Sequence, residues 1–127
     1  MTFPAESINT LHSKLSAASR PVIVTHMKPD GDAMGSSIGM YHTIQQIYSH
    51  PAKIALANPA PGYLDFLITD HLEEDIYIYE QRPQETEIAI QESDLIICLD
   101  FNAFHRTDTL CTILESSKAE KILIDHH

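Results

Sequence analysis

The 127-residue sequence predicts an α/β protein with a Rossmann-like parallel sheet flanked by helices. Segments with helical spacing of apolar residues alternate with short strand-like runs along most of the chain. The two clearest strands, "PVIVT" from Pro21 and "LIICL" from Leu95, are continuously apolar instead of alternating with polar residues. Such strands are typical of a parallel sheet that helices cover on both faces.

In the N-terminal half, two predicted helices alternate with two predicted strands. Apolar residues at helical spacing indicate the helices, and β-branched runs indicate the strands. The predicted elements are, in order, a helix over 5–19, a strand over 21–25, a helix from Ser36 or Ser37 to Ile47, and a strand over 52–57. Either serine can cap the second helix. The turn-forming residues "NPAPG" end the second strand.

The C-terminal half continues the same alternation. The predicted elements are a short helix over 63–68, a strand over 76–79, a helix over 83–91, a strand over 95–99, a helix over 107–116 and a strand over 121–124. The acidic stretch "LEED" at 72–75 is interpreted as a solvated connection. Neither a repeat nor a linker interrupts the pattern, so the length predicts one domain or part of one.

The composition argues against some classes of binding partner and favours one cellular compartment. The formal net charge of −10 would repel phosphate backbones, which argues against a module that binds nucleic acid non-specifically. Cys98 and Cys111 lack metal-binding spacing and are interpreted as small buried hydrophobic residues. Two unpaired thiols favour a reducing compartment, so we expect a cytoplasmic protein. No apolar run approaches the roughly 20 residues that a membrane-spanning helix needs.

Three predicted strands end directly in candidate metal ligands. His26 follows the strand at 21–25, Asp100 follows the strand at 95–99, and Asp125 follows the strand at 121–124. In an open parallel sheet, ligands bind outside the carboxyl ends of the strands. Residues far apart in sequence are therefore expected to converge on one edge of the sheet.

The residue types at this edge suit a pair of divalent cations. His26, Asp30 and Asp32 offer one imidazole and two carboxylates, and Gly31 is expected to let the backbone turn sharply between the two acids. Imidazole mixed with carboxylates, and without thiolate, suits Mn²⁺ better than structural zinc. Two metals about 3.5–4 Å apart would clamp an in-line attack at phosphorus, with Asp100 as the natural bridge.

Each signal has a simpler interpretation when it is taken alone. An Asp-Gly-Asp sequence is often a solvated turn, and an aspartate after a strand is often a helix or loop cap. The terminal "DHH" at 125–127 could be the remnant of a histidine purification tag. The coincidence of all three signals at strand ends favours the metal site.

The sequence resembles the DHH phosphoesterase family, and most of all its bacterial oligoribonuclease and pAp-phosphatase (NrnA-like) branch. "HMKPDGDAMGSS" resembles the first motif of the family, "LDFN" the second, and "IDHH" the triplet that names it. "NPAP" followed by "FL", and Arg106 after the second motif, also look like this branch. The likeness covers nearly the whole chain.

The resemblance implies a role for each matching residue. His26 and Asp30 would hold one Mn²⁺, Asp32 and His126 the second, and Asp100 would bridge both, with Mg²⁺ or Co²⁺ as substitutes. His127 would lie beside the scissile phosphate as a catalytic residue, together with Asp100. The remaining matches would act around the metals: Asp125 by orienting a neighbouring ligand, and Asn102, Arg106 and Ser36 by contacting substrate.

Two departures from the family pattern affect the expected activity. The fourth motif, another aspartate on the second metal, and the C-terminal substrate-binding domain have no counterpart in residues 1–127. We therefore expect this chain to be the N-terminal portion of a DHH phosphoesterase, close to inactive by itself. The parent would hydrolyse short oligoribonucleotides or pAp. A cyclic-dinucleotide phosphodiesterase, a single-strand exonuclease and a non-catalytic binding module are the competing hypotheses, and an open reading frame past His127 would disfavour the last.

Other residues that carry chemistry are interpreted as structural. Five histidines are scattered through predicted helices and loops and are expected to be solvated or packed: His12, His42, His50, His71 and His105. Tyr63, Tyr77 and Tyr79 could be mistaken for a base-stacking platform. Strand propensity explains most of this group more simply.

Overall fold

A computed structural model shows the predicted α/β fold, and it describes residues 5–68, 70–99, 107 and 110–124. The strands are β1 (Pro21–Val24), β2 (Lys53–Leu56), β3 (Ile76–Ile78), β4 (Leu95–Leu99) and β5 (Glu120–Ile124). The helices are α1 (Ala5–Ala17), α2 (Gly31–Ile47), α3 (Pro83–Glu92) and α4 (Cys111–Ser116), with 3₁₀ helices at Gly62–Leu67 and Asp70–Asp75. No helix in these ranges is long and apolar enough to cross a membrane.

The five strands form one parallel sheet in the order β3-β2-β1-β4-β5. The first strand therefore lies at the centre, between β2 and β4. Val24 at its carboxyl end is level with Ala55 of β2 and Cys98 of β4. Leu99 of β4 is level with Ile124 of β5. The carboxyl ends of the three strands with predicted ligands are thus neighbours, as the sequence predicted.

Two hydrophobic clusters, one on each face, bury the sheet. Ile23 belongs to the cluster that contains residues of α1 and α2, such as Leu15 and Ile44. Val22 and Val24, its neighbours along β1, belong to the cluster that contains residues of α3 and α4. Because both faces of β1 and β4 are covered, every residue of both strands is buried, which confirms the interpretation of the continuous apolar runs.

Two local predictions need correction. The "LEED" stretch is solvated only in part: Glu73 and Glu74 are exposed, but the stretch lies in the second 3₁₀ helix, where Leu72 is buried in the core. Asp75, the last residue of that helix, accepts a hydrogen bond from the buried Tyr41 hydroxyl of α2. The second helix also begins earlier than predicted, at Gly31 instead of at Ser36 or Ser37.

Candidate metal centre

The backbone at the carboxyl edge of the sheet is held together by a buried hydroxyl. The Thr25 side chain, which follows β1, donates a hydrogen bond to the Leu99 carbonyl oxygen at the end of β4, 2.9 Å away. Both residues are buried. His26 follows Thr25 and Asp100 follows Leu99, so this contact joins the chain immediately before two of the predicted ligands.

Asp30 is the residue that caps the N-terminus of α2. Its backbone is extended, with φ −99° and ψ −172°, and its Oδ1 accepts a hydrogen bond from the Ala33 amide at 2.9 Å. This is the geometry of a helix N-cap, a position at which Asp is among the most favourable residues. The cap holds the carboxylate at the positive end of the helix dipole. Its side chain remains 61% exposed, so it is open to a cation.

The orientation of His26 is that of a metal-ligating imidazole. Its Nδ1 lies 2.7 Å from the Met27 carbonyl oxygen. A carbonyl oxygen can only accept, so Nδ1 carries the proton, and in the neutral ring Nε2 presents its lone pair. Metal-ligating histidines are oriented by this kind of Nδ1–H contact to a backbone carbonyl.

The His26 ring is directed at the Asp30 carboxylate. The Nε2 atom lies 3.8 Å from Oδ1 of Asp30, beyond hydrogen-bond range, and the His26 side chain is only 12% exposed. One imidazole nitrogen and one carboxylate oxygen thus face each other at a separation that a cation bound to both would span. The residues present fit one divalent metal ion, because imidazole and carboxylate are both suitable ligands for Mn²⁺.

The remaining predicted ligands are not brought together within the described ranges. Asp32 is exposed in the first turn of α2. Among residues 5–68, 70–99, 107 and 110–124, no group of three or more His, Cys, Asp or Glu side chains could hold a metal ion. The other predicted roles fall outside the described residues: Asp100 and His126 as ligands, His127 as catalytic, Asp125 as an orienting residue, and Asn102 and Arg106 as substrate contacts.

Two predictions about the loop before α2 are wrong. Gly31 does not form a sharp turn, because it is the first residue of α2 and its φ is not positive. Among the described residues, a Cβ at Gly31 would meet the Leu64 side chain, at an ordinary contact distance of 4.0 Å. Ser36 cannot cap α2, because it lies in the second turn, where its side chain is exposed. Asp30 takes the capping position instead, since its carboxylate reaches the Ala33 amide.

Asn58, to which the sequence analysis gives no role of its own, contacts the loop that carries His26 and Asp30. Within that loop, Lys28 has a left-handed backbone with φ 51°. Its amide donates to Oδ1 of Asn58 at 3.0 Å, and Nδ2 of Asn58 donates to Glu80 Oε2 at 3.0 Å. The sequence offers one signal for this residue, because Asn58 begins the "NPAP" segment that forms a turn and resembles the family, but that signal does not indicate a contact with the Lys28 amide.

The histidines interpreted as structural have mixed outcomes. His12 contacts the Tyr48 hydroxyl at 2.8 Å and His50 contacts the Ser16 carbonyl oxygen at 3.0 Å, so both have structural partners. The ring of His42 lies against that of Tyr41. The His71 side chain and His105 lie outside the part of the chain that the structure describes.

The explanation of the tyrosines by strand propensity holds for one of them only. Tyr77 lies in β3, flanked by the side chains of Lys53 and Arg82. Tyr79 follows the strand and is partly buried against the core. Tyr63 lies in the first 3₁₀ helix and is 74% exposed, so strand formation does not account for it.

Comparison with known proteins assigns the family. A model of the DHH family, N-terminal domain, matches residues 20–127. The chain belongs to the DHH family. Among solved structures, it is similar to an exopolyphosphatase-related protein from Bacteroides fragilis, with 35% sequence identity and a TM-score of 0.88. The likeness covers 98% of this chain but 35% of that protein, so the chain spans about a third of its length. No curated protein matches.

The match to the DHH family contains all three motif segments. Residues 26–37, 99–102 and 124–127 lie within the matched range, and the first and last of them lie almost 100 residues apart in the chain. The parallel sheet brings the strands that precede these segments side by side. The range matched by the family model therefore includes every segment that the sequence analysis places at this edge of the sheet.

Proposed function

We propose that this chain is the N-terminal part of a phosphoesterase whose active site holds two Mn²⁺ ions at the carboxyl edge of the sheet. The observation that carries the proposal is the His26–Asp30 pair. A tautomer fixed by the Met27 carbonyl presents the imidazole nitrogen to a carboxylate that the α2 cap holds in place. Membership of the DHH family supports the same assignment.

The proposed ligand sets follow the family resemblance. His26 and Asp30 would hold the first cation, Asp32 and His126 would hold the second, and Asp100 would be a ligand of both. Carboxylates crowded at one edge of a sheet repel one another unless cations lie between them. Since the chain has a net charge of −10, part of its acidic excess is accounted for in this way.

The chemistry divides between the cations and the chain. When bound, the two cations lower the pKa of a water molecule and stabilise negative charge at phosphorus. His127 would contact the scissile phosphate, and Asp125 would orient a neighbouring ligand. Asn102, Arg106 and Ser36 would contact the substrate. The hydrogen bonds of the Asp30 carboxylate and of the Thr25 hydroxyl hold the backbone beside the proposed ligands in place. Little reorganisation of this backbone is therefore needed when substrate binds.

For the substrate, we propose short oligoribonucleotides or pAp. The "NPAP" segment, "FL" after it and Arg106 are the residues that favour the oligoribonuclease and pAp-phosphatase (NrnA-like) branch. Polyphosphate is a second candidate, because the similar solved structure is of an exopolyphosphatase-related protein. Cyclic dinucleotides and longer single strands complete the set of candidate substrates.

The test is an assay of the full-length natural protein with Mn²⁺ or with a chelator. The substrates are a diribonucleotide, pAp, a cyclic dinucleotide and polyphosphate. We expect metal-dependent hydrolysis of the first two and its loss in Asp100→Asn. The matched control is Glu92→Gln, since Glu92 lies with Arg20 and Pro21 near the amino end of β1, at the opposite edge of the sheet.

The outcomes separate the candidates. Hydrolysis of polyphosphate alone, or of the cyclic dinucleotide alone, would keep the chemistry and change the substrate. Absence of hydrolysis with every substrate would contradict the catalytic proposal and favour a binding module. We also expect residues 1–127 alone to turn over far more slowly than the full-length protein, because a ligand and one wall of the substrate site would be missing.

A further inference from the structure

We propose that Asn58 is a positioning residue for the metal centre, acting through the backbone of Lys28. The inference rests on the proposed function, because it concerns how the His26–Asp30 pair is held at the spacing that a cation requires. Asn58 belongs to a different loop from the ligands, two residues after β2. It contacts the ligand-bearing loop through the Lys28 amide.

The backbone of Lys28 is in an unfavourable conformation. Its φ is 51°, in the left-handed region that favours glycine and costs other residues about 1–2 kcal/mol. Lys28 also precedes Pro29, and a residue before proline prefers an extended backbone with negative φ. Two independent preferences therefore oppose the observed conformation, and something else must stabilise it.

Asn58 provides that stabilisation. Its Oδ1 accepts a hydrogen bond from the Lys28 amide at 3.0 Å. The other end of its amide is fixed in turn, because Nδ2 donates to Glu80 Oε2 at 3.0 Å. Glu80 follows β3, and its own amide donates to the Ala57 carbonyl oxygen at 3.3 Å. The loops after β1, β2 and β3 are thus joined through one side chain.

The position of Lys28 sets the geometry of the ligands. It lies midway between His26 and Asp30, whose facing atoms are 3.8 Å apart. If Lys28 relaxed to a negative φ, the chain between the two ligands would change direction, and the pair would lose this spacing. Asn58 therefore acts on metal affinity without contacting the metal, as residues that orient metal ligands do.

The deciding experiment uses the full-length natural protein and four variants: Asn58→Ala, Lys28→Gly, the double variant, and Asn9→Ala on the exposed surface of α1 as a matched control. Mn²⁺ affinity is measured by electron paramagnetic resonance, and stability by urea unfolding of the metal-free protein. Glycine adopts a positive φ without cost, so Lys28→Gly removes the need for Asn58.

We expect Asn58→Ala to weaken Mn²⁺ binding by about tenfold. The double variant should recover most of that affinity, and Lys28→Gly and Asn9→Ala should bind as the unaltered protein does. A role in folding alone would instead reduce stability without this rescue. Affinity unchanged in Asn58→Ala, or a double variant as weak as Asn58→Ala, would overturn the inference.

A measurement on the metal-free protein separates this inference from the proposed function. If the unaltered protein binds no Mn²⁺, the proposed function fails. The positioning role is then decided by nuclear magnetic resonance of the His26 ring and of the Lys28 amide. Shifted ring resonances and faster amide exchange in Asn58→Ala would support a positioning role, and an unchanged spectrum at both groups would exclude it.

Discussion

The Thr25 hydroxyl and the Leu99 carbonyl oxygen form a buried hydrogen bond of 2.9 Å between the ends of β1 and β4. Each residue stands one position before a proposed metal ligand, His26 in one case and Asp100 in the other. The contact thus joins the buried backbone of the two strands immediately before the two proposed ligands. Its strength bears on both stability and the spacing of the ligands.

The first prediction concerns this hydroxyl. Thr25→Val keeps the shape of the side chain but leaves the buried Leu99 carbonyl oxygen without this donor, so it should reduce the free energy of unfolding by about 1–2 kcal/mol. The measurement is urea unfolding of the metal-free protein. The matched control is Thr43→Val, which removes an exposed hydroxyl that donates within α2 and should change stability by less than about 0.5 kcal/mol. Equal effects of the two substitutions would contradict the role of Thr25.

The two roles of Asp30 can be separated. Asn caps a helix about as well as Asp, whereas Ala costs about 1 kcal/mol at this position. Asp30→Asn should therefore leave the free energy of unfolding nearly unchanged, and Asp30→Ala should lower it. Both variants should weaken Mn²⁺ binding, because both remove the carboxylate. Unfolding and metal titrations on the two variants check this, and full Mn²⁺ affinity in Asp30→Asn would exclude Asp30 as a ligand.

Tyr41 should make stability depend on alkaline pH. Burial, together with the hydrogen bond to the Asp75 carboxylate, raises the pKa of Tyr41 to about 12 in the folded chain. The folded protein thus holds this proton more tightly than the unfolded chain, whose tyrosines titrate near a pKa of about 10. The stabilisation is complete below about pH 10 and is lost as the pH rises towards about 12, by up to about 1.4 kcal/mol per pH unit.

The measurement for Tyr41 is urea unfolding at a series of alkaline pH values. Tyr41→Phe should be less stable than the unaltered protein at neutral pH, because Asp75 loses a donor. The difference between the two proteins should shrink above about pH 10, since only the unaltered protein has this proton to lose. If the difference in unfolding free energy between the two proteins stayed constant with pH, the pKa of the Tyr41 hydroxyl would not be raised in the folded chain.

The two thiols should differ in reactivity. Cys98 lies in the central part of β4, and its burial raises the pKa of the thiol to about 12, so it should stay protonated and inert at pH 8. Cys111 is only partly buried, contrary to the prediction from sequence. In the folded Cys111→Ser variant, a thiol reagent should therefore leave Cys98 unlabelled until denaturant is added. Rapid labelling of Cys98 in that variant would mean that the sheet opens readily.

The fold was predictable because its strongest signals are local. The "PVIVT" and "LIICL" runs are apolar on both faces of the strand, and a strand with that property belongs in the middle of a covered parallel sheet. From the sheet it follows that His26 lies at the carboxyl edge, next to the end of β4. These inferences need only the pattern of apolar residues and the direction of the strands.

The errors came from contacts between distant residues. The sequence predicted Ser36 or Ser37 as the cap of α2, but the Asp30 carboxylate accepts the hydrogen bond from the Ala33 amide and caps the helix earlier in the chain. Asp75 looked solvated, but Tyr41 comes from a helix more than 30 residues away to bind it. The contact of Asn58 was not predictable for the same reason. It depends on the left-handed backbone of Lys28, which no sequence pattern predicts. Local propensity does not report such pairings.

The most direct test of the central claim is a titration of the full-length natural protein with Mn²⁺, followed by electron paramagnetic resonance. We predict two bound ions per chain. Asp32→Asn should retain one of them, and His26→Ala should weaken the other. Binding of no Mn²⁺, or binding undiminished in both variants, would contradict a metal centre at the carboxyl edge of this sheet.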